Sequence, residues 1–292
     1  MSVEVTPRTA DVTPDRAPRT PEGTPVARPD DPPRETPITP ASADVTREFD
    51  AGAPRYDLLV GLNPGYHQHL RAAAAALADR VPAPRRLLDL GCGSGASTKA
   101  LLSVFGDGVE IRGVDASAGM LAQARGKTWP PGVSFTQGRA GALDDLLAEP
   151  VDGMLAAYLF RNVPEADRDA ALADAWAALR PGGALVVVEY SVAGDARAGR
   201  IWRAICEAVI LPLATVTGGN HGLYRYLERS VLDFDTVPRF AARLGGAGFV
   251  DVESRTVTGW QRGILHVIRA TRPLDEPAPT RNGSRRNRRG RR

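Results

Sequence analysis

The 292-residue chain is 43% hydrophobic and 24% charged, enough for one core of roughly 200–230 residues plus tails, and no run of about 18 apolar residues is present to cross a membrane as a simple helix. The formal charge of +3 comes from residues 281–292, which hold seven arginines and no acid; the rest of the chain sets 30 basic residues against 34 acidic ones, so the basic balance says little about the fold. Two cysteines, Cys92 and Cys206, exclude a disulfide framework; a reducing cytoplasm is the expected compartment, and with no basic start followed by an apolar stretch no secretory signal is expected.

Residues 1–45 hold ten prolines and few large apolar side chains. Such a segment buries too little surface to offset its ordering entropy and is expected to be disordered, as are residues 273–292. Between them a domain over 46–272 alternates two kinds of pattern. A helix is expected over His67–Arg80, with an alanine block at Ala72–Ala76, and then a short apolar strand, Arg86–Leu90, running into glycines. A helix over Ser97–Phe105 leads to a strand over Val109–Val114 that ends in Asp115, and Ser117 is a suitable N-cap for the helix after it. Strands are expected at Val133–Thr136 and Val151–Leu159, the second apolar on both faces as in a buried parallel sheet. A helix over Pro164–Leu179 stops at Pro181-Gly182-Gly183, and Ala184–Tyr190 is a β-branched strand. An apolar helix over 199–213, a helix over Thr236–Gly245 and strands near 249–257 and 263–270 complete the pattern. This alternation predicts an α/β fold: a mostly parallel sheet with helices on both faces.

Asp89-Leu90-Gly91-Cys92-Gly93-Ser94-Gly95 stands at a strand end before a helix. In such sheets ligands bind outside the carboxyl ends of the strands, and glycines let the backbone turn tightly against them. Asp89 can pair with an ammonium group. Asp115, 24 residues after Gly91, can accept from both hydroxyls of a ribose. Three readings stay open here: a nucleoside methyl donor, a dinucleotide bound through Gly91, Gly93 and Ala96, or a structural turn without a ligand.

Further segments separate these readings. Asp115-Ala116-Ser117-Ala118-Gly119-Met120-Leu121 resembles the Asp-x-Ser-x-x-Met-Leu segment of class I methyltransferases. Arg161-Asn162-Val163 after a buried strand, and Pro181-Gly182-Gly183 running on to Glu189-Tyr190-Ser191, resemble segments of the ubiquinone and menaquinone biosynthesis C-methyltransferases. Tyr56-Asp57, Tyr224-x-Tyr226-Leu227-x-x-Ser230 and Gly263-Ile264 with His266 extend the resemblance over about 56–270. It implies a Rossmann-like class I methyltransferase fold, a seven-stranded sheet with the last strand antiparallel. It also implies S-adenosylmethionine as co-substrate, with no metal. The donor contacts it implies are Ser94, Asp115, the Arg139-Ala140 pair and Ala157, and Asp89, Gly91, Gly93, Gly95, Ala116 and Met120 complete the expected donor site; Arg161 and Asn162 fall at the acceptor end. The acceptor implied is a prenylated quinol such as demethylmenaquinol, the alternative being O- or C-methylation of another small apolar or aromatic molecule. The chain departs from the family at Gly91–Ala96, where a Gly-Gly-Thr-Gly-Asp run is usual, at Arg139, where an amide or acid is usual, and at Asn63-Pro64-Gly65-Tyr66-His67.

Carbon methylation needs an electron-rich ring, and a fixed cation such as Arg161 favours the phenolate that makes one. Other residues have a plainer reading beside the functional one. His67 and His69 fit a solvated helix start, and His221 a glycine-rich loop. Glu189 is either a site contact or a structural partner of the Arg161 region. Tyr224 and Tyr226 fit an acceptor pocket or a buried structural role, and Cys92 a small loop residue. The stripe Ile201, Trp202, Ile205, Cys206, Val209, Ile210, Leu213 reads first as a core face, and otherwise as a wall for an isoprenoid tail or a membrane contact. The arginine-rich end is expected to attract an anionic membrane from the cytoplasmic side. Nucleic acid is not expected as a partner, because the domain is acidic and shows no basic or aromatic stripe.

Overall fold

The computed structural model describes residues 45–53, 65–212 and 221–274. Tyr56, Asp57, Asn63, Leu213 and residues 1–44 and 275–292 of the expected tails lie outside the described residues, as do the side chains of His221 and Tyr224. Residues 45–53 form a helix, α1, where the sequence pattern predicts none. It is followed by α2 (Tyr66–Ala78), β1 (Arg86–Leu90), α3 (Ala96–Phe105), β2 (Glu110–Asp115), α4 (Ala118–Arg125), β3 (Val133–Gln137) and β4 (Val151–Ala157). Next come α5 (Glu165–Ala178), β5 (Leu179–Tyr190), α6 (Ala196–Ile205), α7 (His221–Leu232), α8 (Val237–Gly246), β6 (Val250–Thr256) and β7 (Leu265–Thr271).

The seven strands form one sheet in the order β3-β2-β1-β4-β5-β7-β6. β1 to β5 are parallel, and β7 runs antiparallel to both neighbours. This is the expected seven-stranded Rossmann-like arrangement with an antiparallel last strand. Chain order reverses at β1, between β2 and β4, so the switch point falls where the glycine loop begins.

Strand alternation sorts the apolar residues into two cores. Leu87, Ile111, Leu155, Val186 and Val188 face α2, α3 and α6. Leu88, Leu90, Met154, Leu185 and Val187 face α5 and α8, where they meet Leu172, Phe240 and Leu244. The alanines of α2 let that helix lie close: Ala73 and Ala74 are fully buried between Leu70 and Leu77.

The segment around Pro181-Gly182-Gly183 differs from expectation. The helix ends at Ala178, and Leu179 already pairs with Val151 across the sheet. Pairing then shifts register before Gly153 meets Ala184. Gly183 makes this passage possible, since a Cβ there would stand 2.8 Å from the Arg180 carbonyl and 2.9 Å from that of Asp152. The strand over Val151–Leu159 is shorter than expected, ending at Ala157. Tyr158 turns to a φ of 57°, and Phe160–Asn162 form a 3-10 turn. A second register shift lies between Val250 and Glu253, where Asp251 has a φ of 51°.

One buried charge cluster ties the turn after β4 to the layer outside it. Arg168, on α5, donates from Nε to the carbonyls of Phe160 and Val163 at 3.3 and 3.0 Å and pairs with Asp235 at 3.3 Å. Asp235 also pairs with Arg239 and Arg243 of α8. Replacing Asp235 with Ala strips Arg168 of its carboxylate while leaving it buried. The expected loss is about 3–5 kcal/mol of stability, read as a lower urea midpoint at unchanged slope.

Candidate active site

The glycine loop is shaped by main-chain bonds. The amides of Gly91 and Cys92 both donate to the carbonyl of Val114 at the end of β2, at 2.7 and 3.1 Å, and that of Gly95 to the Cys92 carbonyl at 2.8 Å. Gly91, Gly93 and Gly95 all have positive φ, and a Cβ at Gly91 would stand 2.9 Å from Leu159. These positions exclude ordinary side chains for reasons of backbone, so the loop offers a bare main-chain cradle at the switch point. Ser94 is buried within it, and its carbonyl accepts from Lys127 Nζ at 2.7 Å.

Two of the expected donor residues are carboxylates, Asp89 fully buried and Asp115 half-buried. Asp89 is fully buried at the end of β1 and its Oδ2 accepts from Ser97 Oγ and Thr98 Oγ1, at 2.8 and 2.5 Å. Its Oδ1 has no hydrogen-bond partner. Burial pushes its carboxyl up to about 7 against the two hydroxyls that hold it down. Asp115 accepts from the Gly93 amide through Oδ2 at 2.8 Å and from the Ser117 amide through Oδ1 at 2.9 Å. Burial raises its pKa, and those amides and the nearby charge of Asp50 act on it in turn.

The remaining donor-side residues collect around Asp115. The Asp115 carbonyl accepts from the Gly138 amide at 3.0 Å, which brings Arg139 and Ala140 beside it. Ala116 accepts from Gln137 through its carbonyl. Ser117 caps α4 by accepting from the Met120 amide at 3.0 Å. Met120 is buried against the loop, its Cε 3.2 Å from where a Cβ on Gly93 would be. The loop after β3 is held from below: Asp174 of α5 accepts from the amides of Gly141 and Leu143. Partial burial raises the Asp174 carboxyl to about 6, and those two amides oppose the shift.

Ala157 ends β4 at the same edge, and the next residues carry the acceptor-side candidates. Arg161 is buried, its Nη1 2.7 Å from Glu189 Oε1 and 2.9 Å from the Tyr158 carbonyl. The Arg161 amide donates to Glu189 Oε2 at 3.2 Å. Glu189 therefore takes the structural reading: it is the buried partner of Arg161. Asn162 donates from Nδ2 to the Tyr158 carbonyl and accepts on Oδ1 from Tyr226 Oη, at 2.9 and 3.1 Å. The rings of Tyr66, Tyr158, Tyr190 and Trp202 follow one another with centroids 5.1–5.3 Å apart. The Arg161 guanidinium stands 5.6 and 5.9 Å from the Tyr158 and Tyr190 ring centres.

Some features escape sequence reasoning. Asp50 of α1 accepts on Oδ1 from Ser117 Oγ at 2.5 Å and from the Gly119 amide at 2.9 Å, so it fastens α1 to the start of α4 beside Asp115. No residue spacing signals that contact. Tyr158 and Gln261, both in contact with Tyr190, also stand outside any motif. Of the apolar stripe, Trp202 and Cys206 are buried, Ile201, Ile205 and Ile210 are half-buried and Val209 is exposed, which supports the core reading for its inner part. His67 is exposed, in keeping with a solvated helix start, whereas His69 is half-buried with its Nδ1 out of solvent. Among the described residues no group of three or more metal-ligating side chains is found, and no helix is long and apolar enough to cross a membrane.

The residues fit a donor that carries an ammonium and a ribose. A main-chain cradle, a carboxylate with an open, buried oxygen and a second carboxylate at the next strand end stand together. Fold and site thus define a class I methyltransferase. The solved phosphoethanolamine N-methyltransferase 2 of Haemonchus contortus, in complex with S-adenosyl-L-methionine, shares the fold at TM-score 0.57 and 18% identity; the match covers 81% of this chain and 61% of that one. The chain belongs to the ubiE/COQ5 methyltransferase family, whose profile matches residues 39–269. It is 36% identical over 203 residues to a demethylmenaquinone methyltransferase of Thermus thermophilus, 69% of this chain and 90% of the relative. It is 32% identical over 228 residues to a ubiquinone/menaquinone biosynthesis C-methyltransferase UbiE of Methylobacterium nodulans, 76% and 89% respectively.

The raised carboxyl of Asp89 gives a pH prediction. Its folded pKa, about 7, lies above the ordinary 3.8, so the fold binds this proton more tightly than the unfolded chain does. Its contribution therefore favours the fold below about pH 4 and is lost as pH rises through 7. Asp89→Asn removes that slope. The melting temperature of the variant minus that of the wild type is expected to become more positive from pH 5 to pH 8.5, measured without donor; a flat difference contradicts the assignment.

Proposed function

We propose that the chain transfers a methyl group from S-adenosylmethionine to a ring carbon of a prenylated quinol of the demethylmenaquinol type. The observation that carries this reading is a fixed guanidinium beside the stacked rings of Tyr158 and Tyr190, in the turn directly after β4. The names of the relatives support the same acceptor. On this reading Asp89 meets the donor's ammonium, Asp115 the ribose hydroxyls, and the loop Gly91–Gly95 the main body of the molecule. Ala116, Met120, Arg139 and Ala140 flank the adenine, Arg139 through its backbone, and Ala157 borders the donor at the end of β4. The arginine-rich residues 281–292 lie outside the described residues; their attraction to an anionic membrane surface belongs to this proposal.

When bound, the donor supplies an electrophilic methyl on a sulfonium. The chain's task is then to hold the acceptor carbon in line with it, dry and electron-rich. Ionising a phenol of ordinary pKa at pH 7 costs roughly 4 kcal/mol. Arg161 lowers that cost by placing positive charge beside the forming phenolate. The ring's electron pair makes the new carbon–carbon bond, the carbon–sulfur pair stays on sulfur, and the ring carbon gives up its proton to water. Asn162, held by Tyr158 and Tyr226, orients the oxygen next to Arg161. Arg161 is no base, since a guanidinium does not release its proton here.

The first test is incubation of the full chain with methyl-labelled donor and reduced demethylmenaquinol under anaerobic conditions, followed by mass analysis. A ring-methylated product is expected; label recovered on oxygen, or none, overturns the reading. The second separates charge from scaffold. Arg161→Met alone leaves Glu189 buried and unpaired and is expected to destabilise by about 3–5 kcal/mol. Arg161→Met with Glu189→Gln removes both charges and is expected to melt near the wild type, yet to transfer methyl about 10²-fold more slowly in single turnovers at pH 7. Part of that loss is expected to return by pH 10, where the acceptor ionises unaided. A doubly substituted chain with the wild-type rate assigns Arg161 to structure alone.

A further inference from the structure

Two buried polar atoms on the acceptor side have no hydrogen-bond partner among the described residues. Tyr158 Oη is one and Gln261 Oε1 the other. Both residues are well buried, Gln261 at 1% exposure and Tyr158 at 7%. They come from distant parts of the chain. Tyr158 opens the turn after β4, and Gln261 closes the 3-10 turn Gly259–Gln261 between β6 and β7. Tyr190 brings them together. The Tyr158 ring stacks on that of Tyr190 at 5.1 Å and 26°, and Gln261 Nε2 donates to Tyr190 Oη at 3.3 Å. Burial first, and then the phenols of Tyr190 and Tyr66, push the Tyr158 hydroxyl well above its usual range, so it keeps its proton. Tyr158 also holds a backbone conformation that side-chain-bearing residues seldom adopt, and its carbonyl receives both Arg161 and Asn162.

An unpaired buried donor or acceptor costs about 1–3 kcal/mol. Two of them around one tyrosine suggest a site completed by a ligand. The open pair consists of one donor, the Tyr158 hydroxyl, and one acceptor, the Gln261 carbonyl oxygen. A ligand hydroxyl satisfies both, accepting from the first and donating to the second. A ring carbonyl or an ether satisfies only the first and leaves Gln261 unpaired. We propose that Tyr158 and Gln261 form a specificity-determining subsite for a ring hydroxyl of the acceptor, so that the site selects a hydroxyarene, the reduced form of the ring, over its quinone. The proposal rests on the quinol reading for the identity of the acceptor, while the subsite itself is tested by binding alone.

The experiment uses the full chain saturated with S-adenosylhomocysteine, under anaerobic conditions, with calorimetric titration of three probes: 1,4-dihydroxynaphthalene, 1,4-naphthoquinone and 1,4-dimethoxynaphthalene. The wild type is expected to prefer the dihydroxy probe about tenfold, the effect of roughly one hydrogen bond in a dry site. Gln261→Leu is expected to bring the three affinities within about twofold by weakening the dihydroxy probe only, whereas Tyr158→Phe is expected to weaken all three probes to a similar degree and leave the preference standing. A merely structural role predicts that Tyr158→Phe leaves every affinity alone and raises the melting temperature, because it deletes an unpaired buried hydroxyl. That result, a wild type without preference, or a preference for the quinone each overturns the proposal. Methyl transfer to demethylmenaquinol is the separate readout. Its failure beside an intact hydroxyl preference removes the proposed acceptor and leaves the subsite standing.

Discussion

The buried ion pair between Arg161 and Glu189 sets the terms for everything around it. Two charges this far from water are costly, and their attraction offsets the cost only when the remaining hydrogen-bonding positions are filled as well. Here they are filled from the backbone. Glu189 accepts from the amides of Arg161 and Tyr190 as well as from the guanidinium, and the Tyr158 carbonyl takes a second bond from Arg161. Satisfying that set requires the chain to turn sharply as soon as β4 ends. The positive φ of Tyr158 and the 3-10 turn after it are the local consequence. The same turn carries Ala157, the donor-side candidate, and Arg161, the acceptor-side candidate, four residues apart on one short, braced peptide.

Bracing reaches outward through Arg168. Its guanidinium holds two carbonyls of the turn and is itself held by Asp235, which anchors α8 through Arg239 and Arg243. On the donor side the equivalent support is Asp174, which fixes the loop after β3 by two amides. α5 thus steadies both halves from beneath, one through an arginine and the other through a carboxylate. Positioning within a fraction of an ångström is what a methyl transfer between two bound molecules demands.

Much of this was legible in the residues. Seven strands stand where apolar runs lie between turn residues, and the glycine loop and Asp115 stand at strand ends because strand–loop–helix succession leaves them nowhere else. Arg161 and Asn162 fall in the turn directly after β4, as their place behind a buried strand implies. What escaped depends on contacts across long sequence separation. Asp50 reaches Ser117 and Gly119 from a helix with a weak local pattern. Gln261 meets Tyr190 only after β7 has inserted beside β5. Glu189 had two readings until the turn after β4 placed Arg161 upon it. At the β5 entrance Pro-Gly-Gly ends the helix, as its residues imply, and it also permits the register shift seen at Val151. Periodicity reports which face is buried; it carries no information on which distant partner completes a polar group.

The register shift near Asp251 bears on how the molecule behaves among copies of itself. β6 is the outer strand on its side of the sheet, and an outer strand with open amides and carbonyls is a template for a foreign strand. The extra residue bends the ladder at the start of β6, and Asp251, Glu253 and Arg255 follow it on an exposed stretch. Glu253 is already engaged by Arg80 and Arg269 from within the chain. A bent, charged rim of this kind resists edge-to-edge sheet extension, so the rim guards solubility at the concentrations a crowded cell imposes.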